Sequence, residues 1–173
     1  MMTEDDIPNF FGKSQGAKAV RSGRTGEEIL ESYFRPYKIR FVKDDRGYHG
    51  ENQLFPHKKP FMIRQFRWHT GKKYCVDFMW MGFPSDLKLP IEVKTQYGPG
   101  TTDEKLMRTI DRIVKSDYPY FWLVLVGDGF RREEITEVYR SIRDSKRGCI
   151  IPGHEDFLYR AVEKLVVHGD PKG

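Results

Sequence analysis

The stretch Ile91-Glu92-Val93-Lys94-Thr95-Gln96 alternates apolar and polar residues, which predicts a short β-strand. Alternation along a strand sends Glu92, Lys94 and Gln96 to one face and Ile91 and Val93 to the other. Two runs upstream have the same texture. Tyr74 to Met81 is predicted as a strand that stops before Gly82 and Pro84. Phe61 to Trp68 is another, with His69-Thr70-Gly71-Lys72 as the turn between them. Within it, Phe61, Ile63 and Gln65 are expected on one face and Met62, Arg64 and Phe66 on the other. The three runs, 61–68, 74–81 and 89–96, fit an antiparallel meander.

Outward from the meander the pattern turns helical. Thr25 is a predicted N-cap, Glu27, Glu28 and Glu31 suit the first turns, and Leu30, Tyr33, Phe34 and Tyr37 recur at helical spacing until Pro36 interrupts. Ile39 to Val42 reads as a short strand, and Asp44 to Asn52, with Gly47 and Gly50, as a loop. Downstream, Tyr97-Gly98-Pro99-Gly100 stops the strand, and Thr101 with Glu104 forms a capping-box pattern. Leu106, Ile110, Ile113 and Val114 make the stripe of that helix. Phe121 to Val126 is almost wholly apolar, as a strand buried on both faces requires. After the turn Gly127-Asp128-Gly129, helices are expected around Arg132–Ile142 and Glu155–Val167. The order implies a mixed α/β domain, helices flanking one sheet, over 24–173. Residues 1–23, with Lys13, Lys18 and Arg21 among glycines and serines, are expected to be a flexible basic arm.

Composition narrows the class. A chain of 173 residues, 38% hydrophobic and 32% charged, suits one globular domain with a sizeable core. No apolar run is long enough to cross a bilayer, and the acidic Thr3-Glu4-Asp5-Asp6 is unlike a signal segment. Cys75 and Cys149 are far apart and form no CxxC pair, so free thiols and a cytoplasmic location are expected. The net charge of +5 permits a nucleic-acid partner without requiring one.

Chemistry concentrates around the meander. Asp77 interrupts the apolar 74–81 run as Glu92 and Lys94 interrupt theirs. With strand 74–81 beside 89–96, Asp77 is expected on the Glu92 face, with Tyr74, Val76, Phe78 and Trp80 on the opposite one. Two carboxylates so close repel unless a cation lies between them. A divalent ion there polarises a phosphate oxygen and lowers the pKa of a bound water. Lys94 can orient that water or offset transition-state charge. Glu27 can complete the carboxylate set from the helix, although Glu28 and Glu31 are alternatives. The bland alternative is a set of exposed strand acids paired with lysines.

With Gly26-Glu27, Val76-Asp77, Glu92-Val93-Lys94 and Gln96 in place, residues 23–126 resemble the PD-(D/E)xK nuclease superfamily. Asp77, Glu92 and Lys94 match its acid, acid and lysine, and Glu27 is similar to the helical acid of many members. Val76 stands where the superfamily usually has proline. Gly100 to Leu106 is similar to stretches that follow this strand in some restriction endonucleases, and a helix start there, with Lys105 and Arg108, can receive a phosphate. The resemblance implies a restriction-endonuclease-like fold and Mg²⁺-dependent cleavage of double-stranded DNA, Mn²⁺ substituting, by Asp77, Glu92, Lys94 and Glu27. It favours a small type II restriction-like homodimer. It leaves open a junction resolvase, a repair or phage nuclease, or a non-catalytic DNA-binding protein on the same scaffold. The expected DNA contacts are Lys58, Lys59, Arg64, Arg67, Lys72, Lys73, Lys105 and Gln96, with the 44–57 loop as a candidate reader of base edges.

Overall fold

A computed structural model describes residues 25–43, 59–70, 72–82, 86–97, 103–127, 129–145, 148–153 and 155–172. The expected arm, 1–23, and the 44–57 loop lie outside the described residues. Helix α1, Gly26–Phe34, starts at an extended Thr25. The Thr25 hydroxyl accepts from Glu28 N at 3.2 Å, and the Glu28 carboxylate accepts from Thr25 N at 2.7 Å. Both bonds satisfy amides that a helix start otherwise leaves open. Pro36 falls in the 3-10 turn Arg35–Tyr37, and Lys38, at φ 56°, redirects the chain into β1, Arg40–Lys43.

Then follow β2 (Phe61–Thr70), β3 (Lys72–Met81), β4 (Lys88–Thr95), α2 (Asp103–Val114), β5 (Phe121–Val126), α3 (Arg132–Ser145), β6 (Gly148–Pro152) and α4 (Glu155–His168). The sheet has 6 strands in the order β1-β2-β3-β4-β5-β6. β2, β3 and β4 form the antiparallel meander. β1 lies parallel to β2, and β4, β5 and β6 are mutually parallel, α2 and α3 making the connections. β6 has no counterpart in the predicted elements. Its Cys149, Ile150 and Ile151 are too few to show a period between Gly148 and Pro152.

The sheet is sandwiched. Leu30 and Phe34 of α1 and Leu158, Ala161, Val162 and Leu165 of α4 pack with Met62, Phe78, Trp80, Leu89, Ile91 and Val93. Phe34 lies tilted against Trp80, ring centroids 5.7 Å apart, and meets Phe41 edge-on at 6.3 Å. On the other face Leu106, Ile110, Ile135, Val138 and Ile142 of α2 and α3 pack with Phe121, Leu123 and Leu125. β5 therefore sends Trp122, Val124 and Val126 to one helical layer and Phe121, Leu123 and Leu125 to the other, which is why its sequence is apolar throughout. Each such side chain contributes roughly 1.5–3 kcal/mol by burial. The Trp122 indole N–H is satisfied by the Pro171 carbonyl at 2.7 Å, beyond the end of α4. Among the described residues no helix is long and apolar enough to cross a membrane.

The predicted alternation fails in one place. Phe66 was expected beside Met62 but packs with Phe61 and Ile63, in a cluster that also holds Val76 and Met79. Val76 is thereby separated from Phe78 and Trp80, which face α1. Both departures flank Gln65, whose φ is 50° in the middle of β2. Period-2 alternation assumes extended backbone, and a left-handed residue resets it.

Candidate active site

The β3–β4 ladder runs from Met81↔Lys88 to Phe78↔Ile91, where its pairing ends. The next residues are Asp77 on β3 and Glu92 on β4, so both acids stand where the strands part. In the fork a side chain replaces the ladder: Asp77 Oδ2 accepts from Val93 N at 2.7 Å. A strand N–H points along the plane of the sheet. The carboxylate therefore lies near that plane, and not on the Glu92 face as strict alternation predicts.

This placement is electrostatically costly. The Asp77 carboxyl is pushed up to about 6 from 3.8, first by burial and next by the Glu92 charge, with Glu27 adding to the rise. The Val93 N–H and Lys94 pull the other way. Glu92 is buried and ion-paired to Lys94 Nζ, whose side chain is about a quarter exposed. Asp77 thus feels the charges of Glu27, Glu92 and Lys94 together.

The three glutamates of α1 differ in their partners. Glu28 is consumed by the capping box. Glu31 holds Arg64 in a two-pronged pair, Nε–Oε1 2.6 Å and Nη2–Oε2 2.8 Å. Glu27 makes no hydrogen bond or ion pair among the described residues, and it is the α1 acid whose charge reaches Asp77. Gly26 brings it there. A Cβ on Gly26 would overlap Thr95 Oγ1 and stand 2.8 Å from Val93 Cγ1, so only glycine lets the first turn of α1 lie on β4. A cleft of about 510 Å³ opens beside it, lined by Glu27, Glu31, Lys43, Arg64, Gln65 and Asp77 among others.

The expected DNA contacts are scattered. Lys59 and Arg67 are exposed, one just before β2 and one within it. Arg64 reaches the cleft but is tied to Glu31 and lies 5.1 Å over the Phe41 ring. Gln96 is buried: its Nε2 donates to the Gly129 carbonyl at 2.9 Å, and its backbone bonds Val126 and Gly129. The amide braces the exits of β4 and β5, where Gly127 at φ 106° passes so close that a Cβ would overlap the Gln96 carbonyl. Lys58 lies outside the described residues, as do the side chains of Lys72, Lys73 and Lys105. Sequence reasoning missed Lys43 and Gln65. Lys43 closes the four-residue strand Arg40-Phe41-Val42-Lys43, a signal too short to separate from ordinary surface charge.

Among the described residues, no group of three or more His, Cys, Asp or Glu side chains is gathered tightly enough to hold a metal ion. The three-carboxylate set of Asp77, Glu92 and Glu27 is therefore not a ready-made cage. Magnesium does not need one, since it keeps several waters and commonly takes one or two carboxylates plus substrate oxygens. Burial first and the Glu92 charge next hold Asp77 near 6, and a divalent cation would relieve the repulsive part. Comparison of the chain with protein-family models, curated proteins and solved structures finds no match.

Proposed function

We propose that this protein is a metal-dependent endonuclease of the PD-(D/E)xK kind, with a restriction-endonuclease-like fold, acting on double-stranded DNA. The observation that carries the reading is the fork of β3 and β4. It sets Asp77 beside Glu92 and Lys94 and under the charge of Glu27, at the junction of an antiparallel meander and a helical crossover. Asp77 and Glu92 would hold Mg²⁺ or Mn²⁺, with Glu27 nearby. When bound, the ion would supply Lewis-acid stabilisation of a phosphoryl oxygen and a water of lowered pKa. Lys94, ion-paired to Glu92, would orient the attacking water and offset charge on the phosphate. Val93 N–H fixes the Asp77 carboxylate for its role. Arg64, Lys43, Lys59 and Arg67 supply positive charge for the DNA backbone.

A plasmid assay with Mg²⁺ and an EDTA control tests this. Asp77→Ala, Glu92→Ala and Lys94→Ala should each lower cleavage at least about a hundredfold with folding retained. Unimpaired cutting by Asp77→Ala would reject the site. Discrete fragments favour the type II restriction-like reading, and preference for four-way junctions a resolvase. A homodimer places one site on each strand, and a monomeric mass on DNA would remove that part. The loose grouping of the carboxylates favours one second reading, a DNA-binding protein on a nuclease-like scaffold. Salt-sensitive binding with no metal-dependent scission would select it.

A further inference from the structure

β2 and β3 keep one register across their length. Arg64 faces Phe78 on one side of the kink and Phe66 faces Val76 on the other. No residue is inserted, yet the rung between them, Gln65 with Asp77, is missing from the ladder. Gln65 is exposed, and its φ of 50° is uncommon for a non-glycine residue. On both strands the alternation resets at this rung, placing Phe66 and Val76 with Ile63 and Met79.

Had β3 stayed regular, Asp77 would share a face with Met79, which lies in a fully apolar cluster. The reset exchanges the two neighbours. Val76 takes the apolar position, and Asp77 turns to the cleft that Gln65 also lines. We propose that Gln65 is a positioning residue for this site: its left-handed backbone opens the rung opposite Asp77 and lets that carboxylate swing into the β3–β4 fork, onto Val93 N. The assignment deepens the nuclease reading, on which it rests only for what Asp77 then does.

Two backbone-directed substitutions test it. Gln65→Thr adds a β-branch that resists positive φ and favours regular strand, at an exposed position that tolerates a polar side chain. Gln65→Gly accepts positive φ freely. The readout is hydrogen exchange of the Val93 amide, with Asp77→Ala setting the level without a side-chain acceptor. The threonine chain should lose Val93 protection to the Asp77→Ala level, and the glycine chain should keep it. The glycine chain should also melt at a higher temperature, the reverse of glycine's usual effect inside a strand. A protected Val93 amide in the threonine chain, or its loss in the glycine chain, overturns the assignment. If the threonine chain does not fold, a lower melting temperature for Gln65→Gly overturns it and a higher one upholds it. Loss of protection in the threonine chain upholds it even if no chain cuts DNA. Failure of every chain to cut would strike the nuclease reading alone.

Discussion

At the scale of single residues, Asp77 carries the strongest consequence. Its carboxyl ionises at about 6 in the fold against 3.8 as a free group, so the folded chain holds that proton more tightly than the unfolded one. Stability therefore falls as pH rises between those values. Above about 6 the full penalty is present, up to about 3 kcal/mol from the difference. Asp77→Asn keeps an acceptor for Val93 N and removes the charge. It should melt higher than the unsubstituted protein at pH 8, lose that advantage near pH 4, and lose Mg²⁺-dependent cleavage. Equal melting temperatures at pH 8 would show that Asp77 carries no such penalty. The α1 glutamates make a sharper set. Glu28→Ala, which opens the capping box, should lower stability by a few tenths to about 1 kcal/mol and leave cleavage alone, whereas Glu27→Gln should lower cleavage and leave stability almost unchanged. The reverse pattern, read by urea melts and plasmid scission, would move the role to another acid. The sequence offered three glutamates in one helix start because spacing alone does not say which partner each meets. Arg64, 33 positions after Glu31, settled one of them from across the fold.

At the scale of elements, the contact of α1 on β4 governs the site. Gly26→Ala exchanges a poor helix former for the best one, a gain of about 1 kcal/mol in an exposed helix. Here the added methyl meets Thr95 and Val93, so the variant should instead be destabilised by roughly 1–3 kcal/mol, and a companion Thr95→Ala should recover part of the loss. Stabilisation by Gly26→Ala in denaturant melts would refute the close approach. The helix start itself was legible, since Thr25 and Glu28 satisfy one another locally. The tight seat of Gly26 was not, because it depends on β4, far along the chain. The meander was legible through its period, apart from the rung at Gln65, where a glutamine gives no sign of a left-handed backbone. β6 stayed hidden because a five-residue parallel strand is defined by its partner β5 and not by its own pattern.

At the scale of the whole molecule, binding and folding are linked through the same acids. An ion that binds only the folded chain, at about a hundred times its Kd, stabilises it by about 2.7 kcal/mol. Mg²⁺ should therefore raise the melting temperature at pH 8, and Glu92→Gln should abolish most of that rise. No shift in the unsubstituted protein, with or without duplex DNA, would count against a metal site. The hydrogen bond from the Trp122 indole offers a way to watch the fold. Trp122 lies in the doubly covered β5, and its indole N–H is held by a carbonyl 49 positions further on. If the chain beyond α4 came away, that donor would exchange its carbonyl for water, at a net cost of about 0.5–1.5 kcal/mol. Water reaching the ring would then shift its emission to longer wavelength. β5 thus holds a built-in fluorophore that senses the seating of the segment after α4, on the strand paired with the one that carries Glu92.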